Sequence, residues 1–260
     1  MSVNLLRKYK FEGGITLIQV KNVTKKYGNF KAVDDISFEV KDGEVVGFLG
    51  PNGAGKSTTM NMITGYIDPT QGQIIVNGVD VGKRPRKAKK QIGYMPESVP
   101  LYEELTVKEF VRYMAELKLV KHKDLKEETN KLIEEVGLKE VENKLIRNLS
   151  RGYKQRVSLA GALIGNPDVI ILDEPTVGLD PKQITEIRDL IKKLGKNHTI
   201  ILSSHILSEV SQICEKVIII NKGKIVAIDT PSNLEEKTKS KNTILVTVED
   251  PNNSCLLYTS

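Results

Sequence analysis

The sequence predicts an α/β fold built on a mixed, largely parallel sheet with some antiparallel strands. Three observations predict it. Short β-branched runs alternate with helix-period stretches along most of the chain, as when strands are joined by helical crossovers. One run, Val45–Leu49, feeds directly into a glycine-rich loop. Another, Val169-Ile170-Ile171-Leu172, is closed by two acids, Asp173 and Glu174. An apolar run of that length reads as a central strand, and parallel sheets carry their ligands at the carboxyl ends of strands.

The strand candidates in order are Leu17–Val23, Ile36–Val40, Val45–Leu49, Gln73–Asn77, Ile92–Met95, Val169–Asp173, Thr199–Ser203, Val217–Asn221 and Lys224–Asp229. The last two flank Lys222-Gly223, a tight hairpin signal. From Glu103 to Glu142 strand character is lost. Val107, Phe110, Val111 and Met114 recur there at helical spacing. This predicts a helical subdomain, about residues 97–158, inserted into a main domain spanning 17–230. Phe110 and Met114 are expected in its core. His122 is expected on a solvated lysine-glutamate helix, and His198 is assigned no role. After Pro231 a helical linker is expected. Thr243–Glu249 then reads as the first strand of a further unit, so 231–254 is taken as the start of a C-terminal extension.

Both ends depart from this pattern. Met1 to Gly14 shows no period, and Glu12-Gly13-Gly14 matches a purine-rich ribosome-binding site read in frame. Residues 1–16 are therefore expected to be an extension, with Leu17 as initiator. One coding of the final CLLYTS, Cys255 to Ser260, is a transposon end used in sequencing libraries. Residues 255–260 are expected to be translated adapter, with the natural chain continuing past about Asn253.

Bulk properties narrow the function classes. The 260 residues are 39% hydrophobic and 28% charged, ordinary for a globular chain. The net charge is +6 and the pI about 9.1. A basic chain suits nucleic acid, anionic lipid or a nucleotide. Lysines interspersed with glutamates read as solvated surface. The densest basic run, Lys83 to Lys90, has no interleaved aromatics and so offers no base-stacking platform. Two cysteines, Cys214 and Cys255, build neither a disulfide framework nor a zinc site. No apolar run approaches the ~20 residues that cross a bilayer, and Met1–Gly14 has no signal-peptide pattern. The expectation is a cytoplasmic protein, held at a membrane only by a partner.

Gly50-Pro51-Asn52-Gly53-Ala54-Gly55-Lys56-Ser57-Thr58 fits G-x-x-x-x-G-K-[ST], between the strand Val45–Leu49 and a helix predicted over Ser57–Thr64. Glycines let consecutive N–H groups fold round a polyphosphate, and the helix N-terminus adds partial positive charge. Lys56 would reach the β- and γ-phosphates and the Ser57 hydroxyl would ligate Mg2+. Together these predict a P-loop nucleoside triphosphatase. Asp173 would hold the metal through water. Glu174 would polarise the attacking water, because phosphoryl transfer needs chiefly positioning and charge stabilisation.

Leu149-Ser150-Arg151-Gly152-Tyr153-Lys154-Gln155-Arg156 resembles the LSGGQ signature of ATP-binding cassette proteins. Other marks follow in order: Tyr27 resembles the aromatic that stacks on adenine, Gly178-Leu179-Asp180-Pro181 the loop contacting the opposite subunit, and His205 the switch histidine. The resemblance covers roughly Leu17 to Pro231. It implies a transporter's ATPase subunit with ATP and Mg2+, working as a homodimer or cassette heterodimer with a separate integral membrane permease. The implied catalytic residues are Lys56, Glu174 and His205. The implied ATP-binding residues are Tyr27, the loop Gly50 to Thr58, Ser150, Gly152, Gln155 and Asp180. The implied metal ligands are Ser57, Glu97 and Asp173. Ser150 and the Gly152 N–H would act in trans, on ATP held by the other copy.

Two departures stand out. Arg151 replaces the signature's first glycine, as a cation able to pair with phosphate. Glu97 stands where most members carry glutamine; it keeps an oxygen ligand but adds a charge. The Pro96-Glu97 pair, Pro100-Leu101-Tyr102 and the helix start at Thr106-Val107 resemble exporter-type cassettes for drugs, lipids, polysaccharides and gliding-motility proteins. Apolar residues around Leu101–Val107 are candidates for the groove that receives a membrane subunit's helix. The resemblance implies export, at the cytoplasmic face of a bacterial membrane. DNA-repair cassettes are disfavoured because the helical insert is far too short for a long coiled coil. Ribosome-bound factors are disfavoured because one phosphate loop is present, and a non-hydrolysing cassette because Lys56, Glu174 and His205 are all present. No nucleic-acid partner is expected.

Overall fold

The computed structural model describes residues 15–98 and 101–239. The expectations placed on residues 1–14, on Pro100, on Thr243–Glu249 and on the CLLYTS tail lie outside the described residues.

Two sheets form. β1 (Thr16–Tyr27), β2 (Phe30–Lys41), β4 (Gln71–Val76) and β5 (Val79–Asp80) make an antiparallel sheet in the order β2-β1-β4-β5. β3 (Val45–Leu49), β6 (Ile92–Met95), β7 (Val169–Leu172), β8 (Thr199–Ser204), β9 (Lys216–Asn221) and β10 (Lys224–Asp229) make the second, in the order β10-β9-β3-β8-β7-β6. Its strands run parallel except β10, which turns back on β9 through Lys222-Gly223. The helices are α1 (Lys56–Ile63), α2 (Pro85–Lys89), α3 (Val107–Leu117), α4 (Leu125–Glu135), α5 (Arg151–Leu163), α6 (Pro181–Gly195), α7 (Leu207–Val210) and α8 (Pro231–Lys239).

The central strands β3, β7 and β8 are buried on both faces, which is why they read as continuous apolar runs. Val169 and Ile171 of β7 join one core, with β1, β2 and α1. Ile170 and Leu172 join the other, with α3 to α6. α3 starts at a capping box: the Thr106 hydroxyl accepts from Glu109 N (3.2 Å) and the Glu109 carboxylate accepts from Thr106 N (2.8 Å). It buries Val107, Phe110, Val111 and Ala115, and Met114 is partly buried against the same core.

Two expectations are corrected, and one short strand is added. β1 and β2 run well past Leu17–Val23 and Ile36–Val40, because their charged far ends pair with each other as an exposed hairpin where no apolar alternation marks them. β5, two residues long, is too short to show a period. His122 is exposed as expected, but lies in the turn between α3 and α4 and not on a helix.

β6 approaches α5 at Gly93, where a Cβ atom would lie 2.2 Å from the Ala162 carbonyl oxygen. The obstacle is backbone and cannot rotate away. Gly93→Ala is expected to destabilise the fold by about 1–3 kcal/mol. Urea unfolding checks this: the midpoint should fall with the slope unchanged.

Candidate active site

The sheet order places β3, β8 and β7 side by side. Leu49 pairs with Ser204, and Leu172 with Leu202. The strands end nearly level, so the loop after Leu49, the acids after Leu172 and His205 share one edge.

The glycine loop wraps the start of α1. Gly55 is its N-cap at φ +110°, and a Cβ there would lie 2.7 Å from the Ala32 carbonyl. Only glycine takes that backbone without strain. Lys56 is buried, with 6% of its side chain exposed. Nζ donates to Gly50 O at 2.8 Å and Pro51 O at 3.4 Å, and lies 3.2 Å from Glu174 Oε1.

Glu174 is 5% exposed and sits at φ +48°. Its N–H donates to Ser203 Oγ at 2.9 Å. Its Oε2 lies 3.0 Å from His205 Nδ1, on a side chain 43% exposed. Oε1 is buried and accepts no hydrogen bond. The Lys56 contact compensates its charge but is off hydrogen-bonding geometry, so this oxygen still has a lone pair for a donor such as water. Asp173 is also buried, its Oδ1 accepting from Ser203 Oγ at 2.5 Å.

A cleft of ≈ 450 Å³ opens over these groups, lined among others by Tyr27, Phe30, Ser57, Thr58, Glu97 and Glu174. Tyr27 and Phe30 face each other across the β1–β2 turn and are 52% and 65% exposed. A negative flank borders the cleft. Burial first, then the charges of Asp173 and Glu97, push the Tyr94 phenol up to about 12, and its hydroxyl donates to Asn61 Oδ1 at 3.1 Å.

The signature residues lie elsewhere. Ser150 caps α5, accepting from Tyr153 N at 3.4 Å. Asp180 caps α6, accepting from Gln183 N at 2.9 Å. Both line a second cavity of ≈ 460 Å³ together with Gly152 and Gln183, and its lining shares no residue with the first. A Cβ at Gly152 would lie 2.9 Å from Gln183 Cδ, the end of a flexible side chain that can move aside. Arg151 Nη1 donates to Gly178 O at 3.3 Å, and Gln155 Nε2 donates to Pro175 O at 3.0 Å. The fold thus brings Lys56, Ser57, Glu97, Asp173, Glu174 and His205 to one edge, and leaves Ser150, Gly152 and Asp180 on another face.

Residues 33–177 match the family described as ABC transporter. This chain belongs to the ABC transporter family. The linearmycin resistance ATP-binding protein LnrL of Bacillus subtilis (strain 168) is 37% identical over 242 residues, 93% of this chain and 78% of that one. The bacitracin transport ATP-binding protein BcrA of Bacillus licheniformis is 40% identical over 212 residues, 81% of this chain and 68% of that one. Among solved structures, a dimeric post-hydrolysis state of the ATP-binding cassette MJ0796 bound to ADP and Pi overlays with a TM-score of 0.74. It is 27% identical and covers 83% of this chain and 99% of that one. The chain is accordingly an ABC ATPase, the ATP-binding subunit of a transporter. Among the described residues no helix is long and apolar enough to cross a membrane.

Sequence reasoning about this ABC ATPase missed two residues. Ser203, fully buried, bridges Asp173 Oδ1 and Glu174 N. The signal was available: two serines end an otherwise apolar strand. Phe30 extends the aromatic wall begun by Tyr27, marked only by its place across a two-residue turn. His198 turns out to be structural, buried with Nδ1 2.7 Å from Pro167 O. Ser203→Ala leaves Asp173 without its donor and Glu174 N without its acceptor, at about 1–3 kcal/mol of stability. Its expected effect is a lowered kcat with nucleotide affinity nearly kept, checked by steady-state turnover beside equilibrium ATP binding.

Proposed function

We propose that this ABC ATPase powers export of a substrate through a separate membrane-spanning subunit, hydrolysing ATP between two cassettes. The observation that carries the reading is Glu174: a buried carboxylate with one oxygen unclaimed, standing between Lys56 and His205 beside a phosphate-type loop. In that place a carboxylate orients a water for in-line attack on a terminal phosphate. Lys56 balances the developing charge, and His205 holds Glu174 Oε2 while its exposed ring edge contacts the same phosphate. Tyr27 and Phe30 receive the adenine, and the loop Gly50 to Thr58 receives the phosphates.

Ser57, Glu97 and Asp173 are the proposed Mg2+ ligands. They are hard oxygen donors; Ser57 and Glu97 line the cleft and Asp173 is buried behind it, so the residues fit the ion. When bound, Mg2+ would neutralise negative charge on the phosphates.

The second proposal is the trans arrangement. Ser150, Gly152 and Asp180 lie apart from the chain's own phosphate loop, which suits a head-to-tail pair in which each copy completes the other's site. The MJ0796 cassette is dimeric, which supports a homodimer or cassette heterodimer here. Outward transport is supported by the resistance role in the name of LnrL and by the Pro96-Glu97 resemblance. Residues of about 97–158 would act as the unit that follows the permease and hold the protein to the cytoplasmic face of a bacterial membrane. Leu101, Leu105 and Val107 pack into the helical core. The proposed docking groove is instead the ≈ 360 Å³ apolar cavity lined by Ile92, Tyr94, Pro96, Phe110 and Met114.

Glu174→Gln is expected to keep ATP binding, accumulate a nucleotide-bound dimer on gel filtration, and lose on the order of 10²–10⁴ in kcat; turnover at the wild-type rate refutes the assigned base. Lys56→Ala removes the cation opposite the phosphates, so ATP affinity measured by calorimetry should collapse, and unchanged affinity would remove Lys56 from the cradle. Copurification with a polytopic membrane protein tests the transporter reading.

A further inference from the structure

Lys83, Arg84, Arg86, Lys87, Lys89 and Lys90 place six cations within eight residues, and no acid occurs from Val81 to Pro96. The whole chain carries 39 basic and 33 acidic residues. Set these six aside and the remainder is balanced, so the excess charge of the protein is concentrated here and not scattered. α2 and the residues flanking it carry the strip. Ala88 is its one buried residue, and all six cations are exposed. Among the described residues, only Lys83 of the six meets a carboxylate within 4.0 Å, Asp80 at 3.8 Å. Like charges so crowded repel one another, and a solvated surface gives no reason to collect them.

The strip also has a neighbour. Lys89 and Tyr66 line the apolar groove beside Tyr94, Pro96, Phe110 and Met114. Tyr66 is 76% exposed, an amphipathic ring of the kind that settles at headgroup depth. We propose that the Lys83–Lys90 strip binds anionic phospholipid headgroups, laying this edge of the ATPase against the membrane surface. Phosphodiesters match both the lysine ammoniums and the planar forks of Arg84 and Arg86. Nucleic acid presents phosphate too, but the strip has no aromatics interleaved for base stacking. The proposal rests on the permease-docking reading only for how the strip is brought to the bilayer; its charge and exposure stand without it.

The test uses the full chain and vesicles of phosphatidylcholine with or without phosphatidylglycerol. The wild type should sediment with the anionic vesicles and not the neutral ones, and added salt should release it. Inorganic phosphate at matched ionic strength should not displace it beyond that salt effect. A variant carrying Arg84→Gln, Arg86→Gln, Lys87→Gln and Lys90→Gln should lose on the order of 10³-fold in partitioning, with ATP turnover in solution unchanged. Arg84→Lys with Arg86→Lys should keep most of the binding. The proposal is overturned if the four-fold variant binds as the wild type does, if neutral vesicles bind equally, if free phosphate competes specifically, or if transfer RNA at the same salt binds the strip more tightly than the vesicles. Failure of the wild type to bind anionic vesicles, with permease copurification intact, would sink the strip and leave the docking reading standing.

Discussion

The contact between Lys56 and Glu174 is the constraint on which the site depends. Both side chains are 6% exposed and stand 3.2 Å apart. A lone buried charge is costly, and removing one partner of such a pair leaves the other uncompensated. The pair therefore ties the phosphate loop after β3 to the end of β7, across the intervening β8. Ser203 of β8 completes the tie by bridging Asp173 and Glu174 N. In the proposed mechanism an incoming terminal phosphate would compete for the Lys56 ammonium, leaving Glu174 its His205 contact and the oxygen that no hydrogen bond occupies. In that mechanism this ion pair would also hold the base ready.

The same geometry limits what one chain can do. The phosphate loop, Glu97 and Glu174 line one cleft, while the helix starts at Ser150 and Asp180 line another cavity that shares no residue with it. Helix starts present N–H groups that suit an anion. In the proposed head-to-tail pair these helix starts, lying away from their own chain's phosphate loop, would meet the phosphate held by the second copy. Arg151, reaching Gly178 O at 3.3 Å, joins the signature to the 178–181 loop. The cation therefore has a structural post in addition to any contact with a partner's phosphate.

Much of this was legible in the sequence for identifiable reasons. The phosphate loop and the Asp173-Glu174 pair announce themselves because motif, strand and charge coincide at successive residues. The central strands read correctly because both of their faces are buried, which leaves an unbroken apolar run. Ser203 did not announce itself: a serine ending a strand becomes a bridge only when β8 is known to lie between β3 and β7. Phe30 needed the hairpin register that places it opposite Tyr27. The docking groove was expected around Leu101–Val107; Leu101, Leu105 and Val107 pack against the helical core, and the cavity now proposed for docking opens where β6 meets α3 and α5. The charge of the Lys83–Lys90 strip was visible, while its meaning depended on Lys89 and Tyr66 meeting at one groove.

Glu97 shows how such local chemistry combines. It is exposed, on the wall of the nucleotide cleft, and its charge helps raise the Tyr94 phenol to about 12, after burial and Asp173. An amide in its place would contribute no net charge. With Glu97 the cleft gains a third carboxylate beside Asp173 and Glu174, opposed by Lys56 and the N-terminus of α1. A bare triphosphate meets repulsion from the acid flank and attraction from the loop. A triphosphate carrying a divalent cation presents the opposite sign to each side and is attracted by both. In the proposed site Glu97 would therefore favour the cation–nucleotide complex over the free nucleotide. It would do so from β6's end, the point where the nucleotide cleft and the proposed docking groove come nearest along the chain.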